Sequence, residues 1–210
     1  MLPMLAQLAQ EPVELEAVLV TPSRLAFEPP PPADFSLRLV AADDSSRGGL
    51  LNAGAAAARG EVLLFLWPGS QLPFEALLTI EKNLSLLPQT VGGNFHLTFD
   101  ASTFLSRRAA GFIATQRYGG NYYGNSAIFV RRTVFEALGG FAPLTLLEDF
   151  EFGRRLEAAG PTLYLPDKII APTAKFGVKG ALVWGIVLLL QKLGLSPPVL
   201  ASVAKTLGWK

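Results

Sequence analysis

The 210-residue chain contains no cysteine and a single histidine, His96. The absence of cysteine excludes disulfides, thiolate metal sites and cysteine nucleophiles, and it fits a reducing compartment, so we expect a cytoplasmic location. His96 lies in a run of alternating polar and apolar residues, and no residue near it in the sequence supplies a second or third metal ligand. The residues therefore indicate no metal site built on cysteine or histidine.

The chain also has little charge of either sign. Its 18 Lys and Arg residues face 17 Asp and Glu residues, which leaves a net charge of +1. This balance creates no global field that would attract nucleic acid, so no nucleic-acid partner is expected and any charged ligand must be held locally. Half of the residues are apolar, as in globular proteins, and the length favours a single domain.

Long apolar runs are missing as well. The most apolar segment, residues 181–190, is far shorter than the roughly 20 residues that a membrane-spanning helix needs. We expect this segment to pack against the domain, and the alternative is a peripheral contact of residues 180–193 with the inner face of a membrane. The N-terminus has no basic stretch and contains Pro3, so it is not interpreted as a signal peptide.

Short apolar runs bounded by turn-forming residues predict an α/β domain. Residues 16–20, 36–40 and 62–66 have the pattern of buried strands, and the alanine-rich residues 51–59 predict a helix. A helix between two strands that leave no room for a hairpin predicts a right-handed βαβ unit in a mostly parallel sheet. The pattern then continues with a helix at 74–87, a strand at 93–99, a helix at 101–116 and a strand at 126–130.

The loops that follow the first three strands are expected to form one rim, because ligands of such sheets bind beyond the carboxyl ends of the strands. These loops are residues 21–24, 43–49 and 67–71. Arg24 and Arg47 in them either clamp phosphate groups directly or are exposed loop residues.

Two stretches of the chain resemble the glycosyltransferases of family 2. The first is residues 51–66 (LNAGAAAARGEVLLFL). The second comprises residues 124–132 (GNSAIFVRR), 138–141 (LGGF) and 147–151 (LEDFE). The segments keep the family's order and spacing, and the match is closest to a small bacterial subgroup.

The resemblance implies a single Rossmann-like domain of the GT-A type. Residues 1–90 match a nucleotide-binding half, residues 91–170 an acceptor half and residues 171–210 a helical tail. The implied reaction moves a sugar from a nucleotide-sugar donor to a hydroxyl acceptor with inversion. In the Glu148-Asp149 pair, Asp149 matches the general base that takes the proton of the acceptor hydroxyl. The alternative is that both acids only stabilise a helix N-terminus through their charge.

The candidate site residues fall into two groups. The nucleotide side comprises Thr21, Ser23, Arg47, Asn52, Trp67 and Gly69. The acceptor side comprises Tyr122, Tyr123 and Asn125. The tyrosines either stack on a sugar or acceptor ring or pack on the core, and the Asn52 amide either contacts the ligand or bonds a neighbouring loop.

The chain departs from the family on the donor side. The family's first strand has no counterpart, and the acid-rich turn after residues 16–20 is Thr21-Pro22-Ser23-Arg24. The acidic metal-binding signature after residues 62–66 is replaced by Trp67-Pro68-Gly69, and an acceptor-side aspartate is replaced by Asn125. The Mg²⁺ or Mn²⁺ that the family implies is expected to bind poorly without these carboxylates. The alternative function is a catalytically inactive GT-A relative that serves as a binding or interaction module.

Overall fold

Helices and strands alternate along the chain, as the sequence pattern predicts. The computed structural model describes residues 2–23, 35–44, 46–101, 103–144 and 146–173, together with 186, 187, 189, 190, 195 and 197–207. The strands are β1 (Glu16–Pro22), β2 (Ser36–Ala42), β3 (Val62–Phe65), β4 (Gly92–Phe99), β5 (Ile128–Arg131) and β6 (Thr162–Ala171). The helices are α1 (Leu2–Leu8), α2 (Arg47–Ala57), α3 (Ala76–Leu86), α4 (Phe104–Arg117), α5 (Arg132–Ala137), α6 (Glu148–Ala159) and α7 (Pro197–Thr206). A 3-10 turn, Gly124–Ser126, precedes β5.

The strands combine parallel and antiparallel pairing. β1 and β2 form a parallel pair, and the other four strands form a sheet in the order β3-β5-β4-β6. In that sheet β4 and β6 are parallel, whereas β5 runs antiparallel to both of its neighbours. The parallel pairings are the longest, so the prediction of a mixed, mostly parallel α/β fold is confirmed. Among the described residues β3 pairs only with β5, and the pairing is antiparallel, so β2 and β3 do not lie in one sheet and the predicted βαβ unit was wrong.

Both faces of the larger sheet are buried, and the alternation along β5 shows this most clearly. Phe129 belongs to a cluster that includes residues of α1, α3 and α7. Its neighbours Ile128 and Val130 point to the other face, into a cluster that includes residues of α2, α5 and α6. Each such fully buried side chain contributes about 1.5–3 kcal/mol of hydrophobic stabilisation. The sheet is therefore a rigid layer from which loops carry the polar side chains of the site.

Helix α2 begins earlier than the sequence predicts. The Ser46 hydroxyl accepts the N–H of Gly49 at 3.0 Å, and the Asp44 carboxylate accepts the N–H of Ser46 at 2.7 Å. These caps satisfy backbone donors at the helix start and so extend the helix through two glycines. A side chain at Gly48 would lie 2.2 Å from the carbonyl oxygen of Ala142, so only glycine permits this approach. Arg47 is consequently the first residue of α2 and not a loop residue, which corrects the prediction.

No helix within the described residues is long and apolar enough to cross a membrane. The segment of residues 180–193, for which a membrane contact was the alternative, lies mostly outside the described residues.

Candidate active site

Two buried carboxylates mark the start of α6. The residue before the helix, Leu147, adopts the left-handed conformation with φ of 65°, and no side chain caps the helix. The first two helical residues, Glu148 and Asp149, are 0% and 7% exposed. Negative charge is favourable at a helix N-terminus, but burying it away from water is costly unless hydrogen bonds or a cation compensate. The partners of the two acids therefore define the site.

The Asp149 carboxylate is held by backbone donors. Its Oδ2 accepts the N–H of Gly124 at 2.5 Å, and its Oδ1 accepts the N–H of Phe150 at 2.9 Å. Burial raises the pKa of Asp149 above its ordinary value, while Arg47 and these backbone donors oppose the rise. The result is a fixed carboxylate whose basicity is increased, which suits a group that takes a proton.

The cost of burying the Glu148 carboxylate is offset by one cation of the described residues, Arg47. Its Oε1 lies 3.0 Å from the Nε of Arg47, and neither of its carboxylate oxygens accepts a hydrogen bond from the described residues. Burial and the neighbouring charge of Asp149 raise the pKa of Glu148 to about 7, and Arg47 opposes the rise. The pair of acids thus shares one arginine.

Arg47 is also fixed by an aromatic ring. Its guanidinium carbon lies 4.2 Å from the ring centroid of Trp67, a cation–π geometry. Trp67 follows the carboxyl end of β3, and Arg47 begins the helix that precedes that strand. The structure therefore brings together three of the predicted site elements: the start of α2, the turn after β3 and the Glu148-Asp149 pair.

Gly124 is the backbone link between these elements. A Cβ at this position would lie 2.5 Å from the Trp67 indole Nε1 and 3.3 Å from Asp149 Oδ2. We expect Gly124→Ala to displace the indole or the carboxylate and to abolish ligand binding or turnover at the site. The control is Gly111→Ala in α4, where a Cβ would meet nothing within 4 Å. That change is expected to be neutral or to stabilise by up to about 1 kcal/mol. Equal activity of both variants would contradict the geometry.

Stability is expected to depend on pH through Glu148. In the unfolded chain this carboxyl ionises near its model value of 4.5, whereas in the folded chain it keeps its proton to about pH 7. Between these values the folded state binds more protons, so the Glu148 contribution to stability is greatest below pH 4.5 and is lost as pH rises to about 7. The loss is at most about 1.4 kcal/mol per pH unit.

The measurement is the free energy of unfolding of the wild type and Glu148→Gln across this pH window. The difference between the two proteins reports the titration of Glu148 together with its electrostatic coupling to Asp149, since the other groups titrate alike in both. The wild type should lose stability relative to the variant as pH rises. A difference that is independent of pH would show that Glu148 ionises normally.

The other residues predicted on the nucleotide side have varied positions. Ser23 donates to Asp43 at 2.8 Å, and the backbone N–H of Ser23 bonds Ala42, so the loops after β1 and β2 are adjacent as expected. Thr21 is the penultimate residue of β1. Gly69 lies in the turn after β3 with φ of 88°, a conformation that favours glycine. Arg24 lies outside the described residues.

Asn52 has a structural role in the fold. Its side-chain amide donates to the Phe141 carbonyl and accepts the Phe141 N–H, both at 2.8 Å. This pair of bonds joins α2 to the segment after α5. Of the two roles considered for the Asn52 amide, ligand contact or a bond to a neighbouring loop, the structure contains the bond to the loop.

The two tyrosines of the predicted acceptor side point into the protein. Tyr122 is fully buried, and its ring packs where a side chain at Gly153 would lie. Tyr123 is buried with its ring edge-on to Phe150 at 4.9 Å between centroids. Both rings therefore pack on the core, which was the alternative to ligand stacking. Asn125 is half-buried and adjoins Gly124, close to the Asp149 carboxylate.

Arg117 is a buried polar centre that the sequence analysis missed. It is 7% exposed, its Nε donates to Asn94 at 2.6 Å, and its Nη1 lies 2.9 Å from the Glu157 carboxylate. Its Nη2 donates to the Tyr122 hydroxyl at 2.6 Å and to Thr162 at 2.9 Å. The arginine thus ties α4, β4, α6 and β6 to the loop that carries Gly124. The sequence offered one indication that Arg117 is buried. Its helical spacing puts it on the same face of α4 as Ser106 and Ile113, which are buried.

The residues present do not fit a divalent metal ion. Among the described residues no group of three or more His, Cys, Asp or Glu side chains is placed to hold one. Mg²⁺ requires about six oxygen ligands in a nearly octahedral arrangement. Of the acids at the described site, Glu148 lies 3.0 Å from Arg47, whereas Asp149 and Asp44 accept backbone N–H groups. The Arg47 guanidinium would repel a second cation.

Comparison with known proteins identifies the fold. No family model matches the chain, and no curated protein matches it. The mannosyltransferase PcManGT from Pyrobaculum calidifontis, solved in complex with GDP-Man and Mn²⁺, is similar, with a TM-score of 0.55 and 16% identity over 81% of this chain. TarS from S. aureus is similar with a TM-score of 0.53 and 13% identity over 97% of this chain. This chain spans 52% and 64% of those two chains, and the similarity shows a GT-A-like glycosyltransferase fold.

Proposed function

We propose that this chain transfers a sugar from a nucleotide-sugar donor to a hydroxyl acceptor, with inversion and with Asp149 as the general base. The observation that carries the proposal is the Asp149 carboxylate, which is buried at the start of α6 and held by the N–H of Gly124 at 2.5 Å. The fold supports it, because one similar structure is a mannosyltransferase in complex with GDP-Man.

In the proposed reaction the acceptor hydroxyl loses its proton to Asp149 as its oxygen attacks the anomeric carbon of the sugar. The bond between that carbon and the diphosphate oxygen breaks, and the nucleoside diphosphate leaves with the electron pair. Attack on the face opposite the leaving group inverts the configuration. The raised pKa of Asp149 makes this carboxylate a stronger base than an exposed aspartate.

The remaining site residues are proposed to position the two substrates. Glu148 fixes Arg47 beside Asp149 through their 3.0 Å ion pair. The nucleotide is proposed to lie along Thr21 near the end of β1, Ser23 just after that strand, and Trp67 and Gly69 after β3. The acceptor is proposed to approach past Asn125, which adjoins the Gly124 that holds Asp149.

The proposal is tested by incubating the purified chain with a panel of UDP- and GDP-sugars and measuring release of nucleoside diphosphate, with and without a sugar acceptor. At least one donor should be consumed faster with the protein than without it. Consumption of none, by a folded protein that also binds none, would contradict the proposal.

A second function, a binding module without turnover, is favoured by one observation. Trp67-Pro68-Gly69 supplies no carboxylate at the end of β3, and the indole is already stacked with Arg47. Such a protein would hold a sugar or a partner enzyme through its acceptor half. Saturable binding of a nucleotide sugar together with its turnover would exclude this function.

A further inference from the structure

Arg47 presents an open edge of its guanidinium at the site. Its Nε faces Glu148 and its guanidinium carbon lies over Trp67, and no hydrogen bond joins either terminal amino group to a described residue. The side chain is 32% exposed, so this edge is accessible from solvent. A guanidinium with two free amino groups binds phosphate oxygens in a bidentate manner.

The plane of this guanidinium is fixed before any ligand arrives. The Trp67 ring supports one of its faces at 4.2 Å, and the ion pair with Glu148 fixes its Nε. Glu148 is fully buried and its oxygens accept no hydrogen bond within the described part of the chain. Within the described residues Arg47 is thus the polar partner of the Glu148 side chain, and this contact orients the guanidinium. A pre-oriented side chain loses little conformational entropy when it binds an anion.

The positive end of α2 lies at the same place. Arg47 is its first residue, and the partial positive charge of the 11-residue helix is already met by the Ser46 hydroxyl and the neighbouring Asp44 carboxylate. The divalent cation that would otherwise neutralise a diphosphate does not fit these residues, as shown above. The positive charge left for a diphosphate at the described site is therefore that of Arg47.

We infer that this chain binds the diphosphate of its nucleotide-sugar ligand through the open edge of Arg47, supported by Trp67 and Glu148, and without a divalent cation. The inference rests on the proposed function, since it names the group that holds the donor of that reaction. It assigns Arg47 the charge neutralisation that a metal ion would otherwise supply.

The test is calorimetric titration of the full chain with inorganic diphosphate and with GDP, in excess EDTA and with ligand premixed with Mn²⁺. Binding is expected in EDTA with an affinity similar to that with Mn²⁺. Arg47→Gln is expected to weaken binding about 10- to 100-fold, the loss typical of a charge-assisted hydrogen-bonding group. The control is Arg59→Ala, which removes an exposed arginine just beyond the other end of α2.

A second variant guards against misfolding. The double change Arg47→Gln and Glu148→Gln removes both partners of the 3.0 Å ion pair, and Asp149 keeps the N–H donors of Gly124 and Phe150, so this variant should show the same loss of binding with an intact circular dichroism spectrum. Binding that requires Mn²⁺, unchanged binding in both Arg47 variants, or no binding in either condition would overturn the inference.

The outcomes separate this inference from the proposed function. If binding requires Mn²⁺ but a donor sugar is transferred and Asp149→Asn stops the transfer, the inference fails alone. If diphosphate binds in EDTA through Arg47 but no sugar is transferred, the anion site stands and the transferase proposal fails.

Discussion

Asp149→Asn is expected to lower the rate of sugar transfer by about 10²- to 10⁴-fold, the usual contribution of a general base. Asparagine has the same shape, and its single carbonyl oxygen can still accept the Gly124 N–H, but its amino group cannot accept the Phe150 N–H that the second carboxylate oxygen accepts. It lacks the basic lone pair that takes the acceptor proton. The measurement is release of nucleoside diphosphate in the presence of acceptor.

The stability of this variant distinguishes a chemical effect from a structural one. The neutral asparagine avoids the cost of burying a charge but loses one backbone hydrogen bond, so its free energy of unfolding is expected to stay within about 1 kcal/mol of that of the wild type. The matched control is Asp167→Asn in β6, which alters an exposed aspartate and should change neither activity nor stability. Full activity in Asp149→Asn would remove Asp149 from the mechanism.

The largest effect on stability is expected from Arg117→Met. This change leaves Asn94 and Glu157 without the guanidinium that bonds both of them at 2.6 and 2.9 Å. Breaking a fully buried ion pair from one side costs about 3–5 kcal/mol, but the Glu157 side chain is 33% exposed, so a loss of about 2–3 kcal/mol is expected here. The measurement is the free energy of unfolding by chemical denaturation, which should fall by that amount.

Two further variants test this interpretation. Arg107→Met alters an exposed arginine of the same helix and should stay within about 0.5 kcal/mol of the wild type. The double variant Arg117→Met and Glu157→Gln should recover part of the loss, because no unpaired charge remains. A loss below about 1 kcal/mol in Arg117→Met would show that the buried network contributes little net stability.

Local sequence patterns predicted the elements that depend on local interactions. The start of α6 at Glu148, the alanine-rich α2 and the buried β3 all follow from residue type and spacing, and their positions agree with the structure to within a few residues. The early start of α2 was missed, because it depends on the Ser46 cap and on the fit of Gly48 against the carbonyl of Ala142.

Contacts between distant segments were not predictable from local patterns. The sequence of the aromatic and glycine-rich loop, residues 118–124, is compatible with tyrosines that stack on a ligand and equally with tyrosines that pack in the protein core. Tyr122 is buried because Arg117 and Glu157, from two different helices, bond its hydroxyl. Likewise, the pairing of Arg47 with Glu148 joins residues about a hundred positions apart, and only the fold brings them together.

The most direct test of the account is a calorimetric titration of the wild-type chain with a panel of UDP- and GDP-sugars. At least one of these nucleotide sugars is expected to bind the wild type with a saturable isotherm in the micromolar range. The same ligand is expected to bind Arg47→Gln more weakly. Absence of binding for every donor up to millimolar concentration, by a folded protein, would contradict it and would favour the binding module that has no donor.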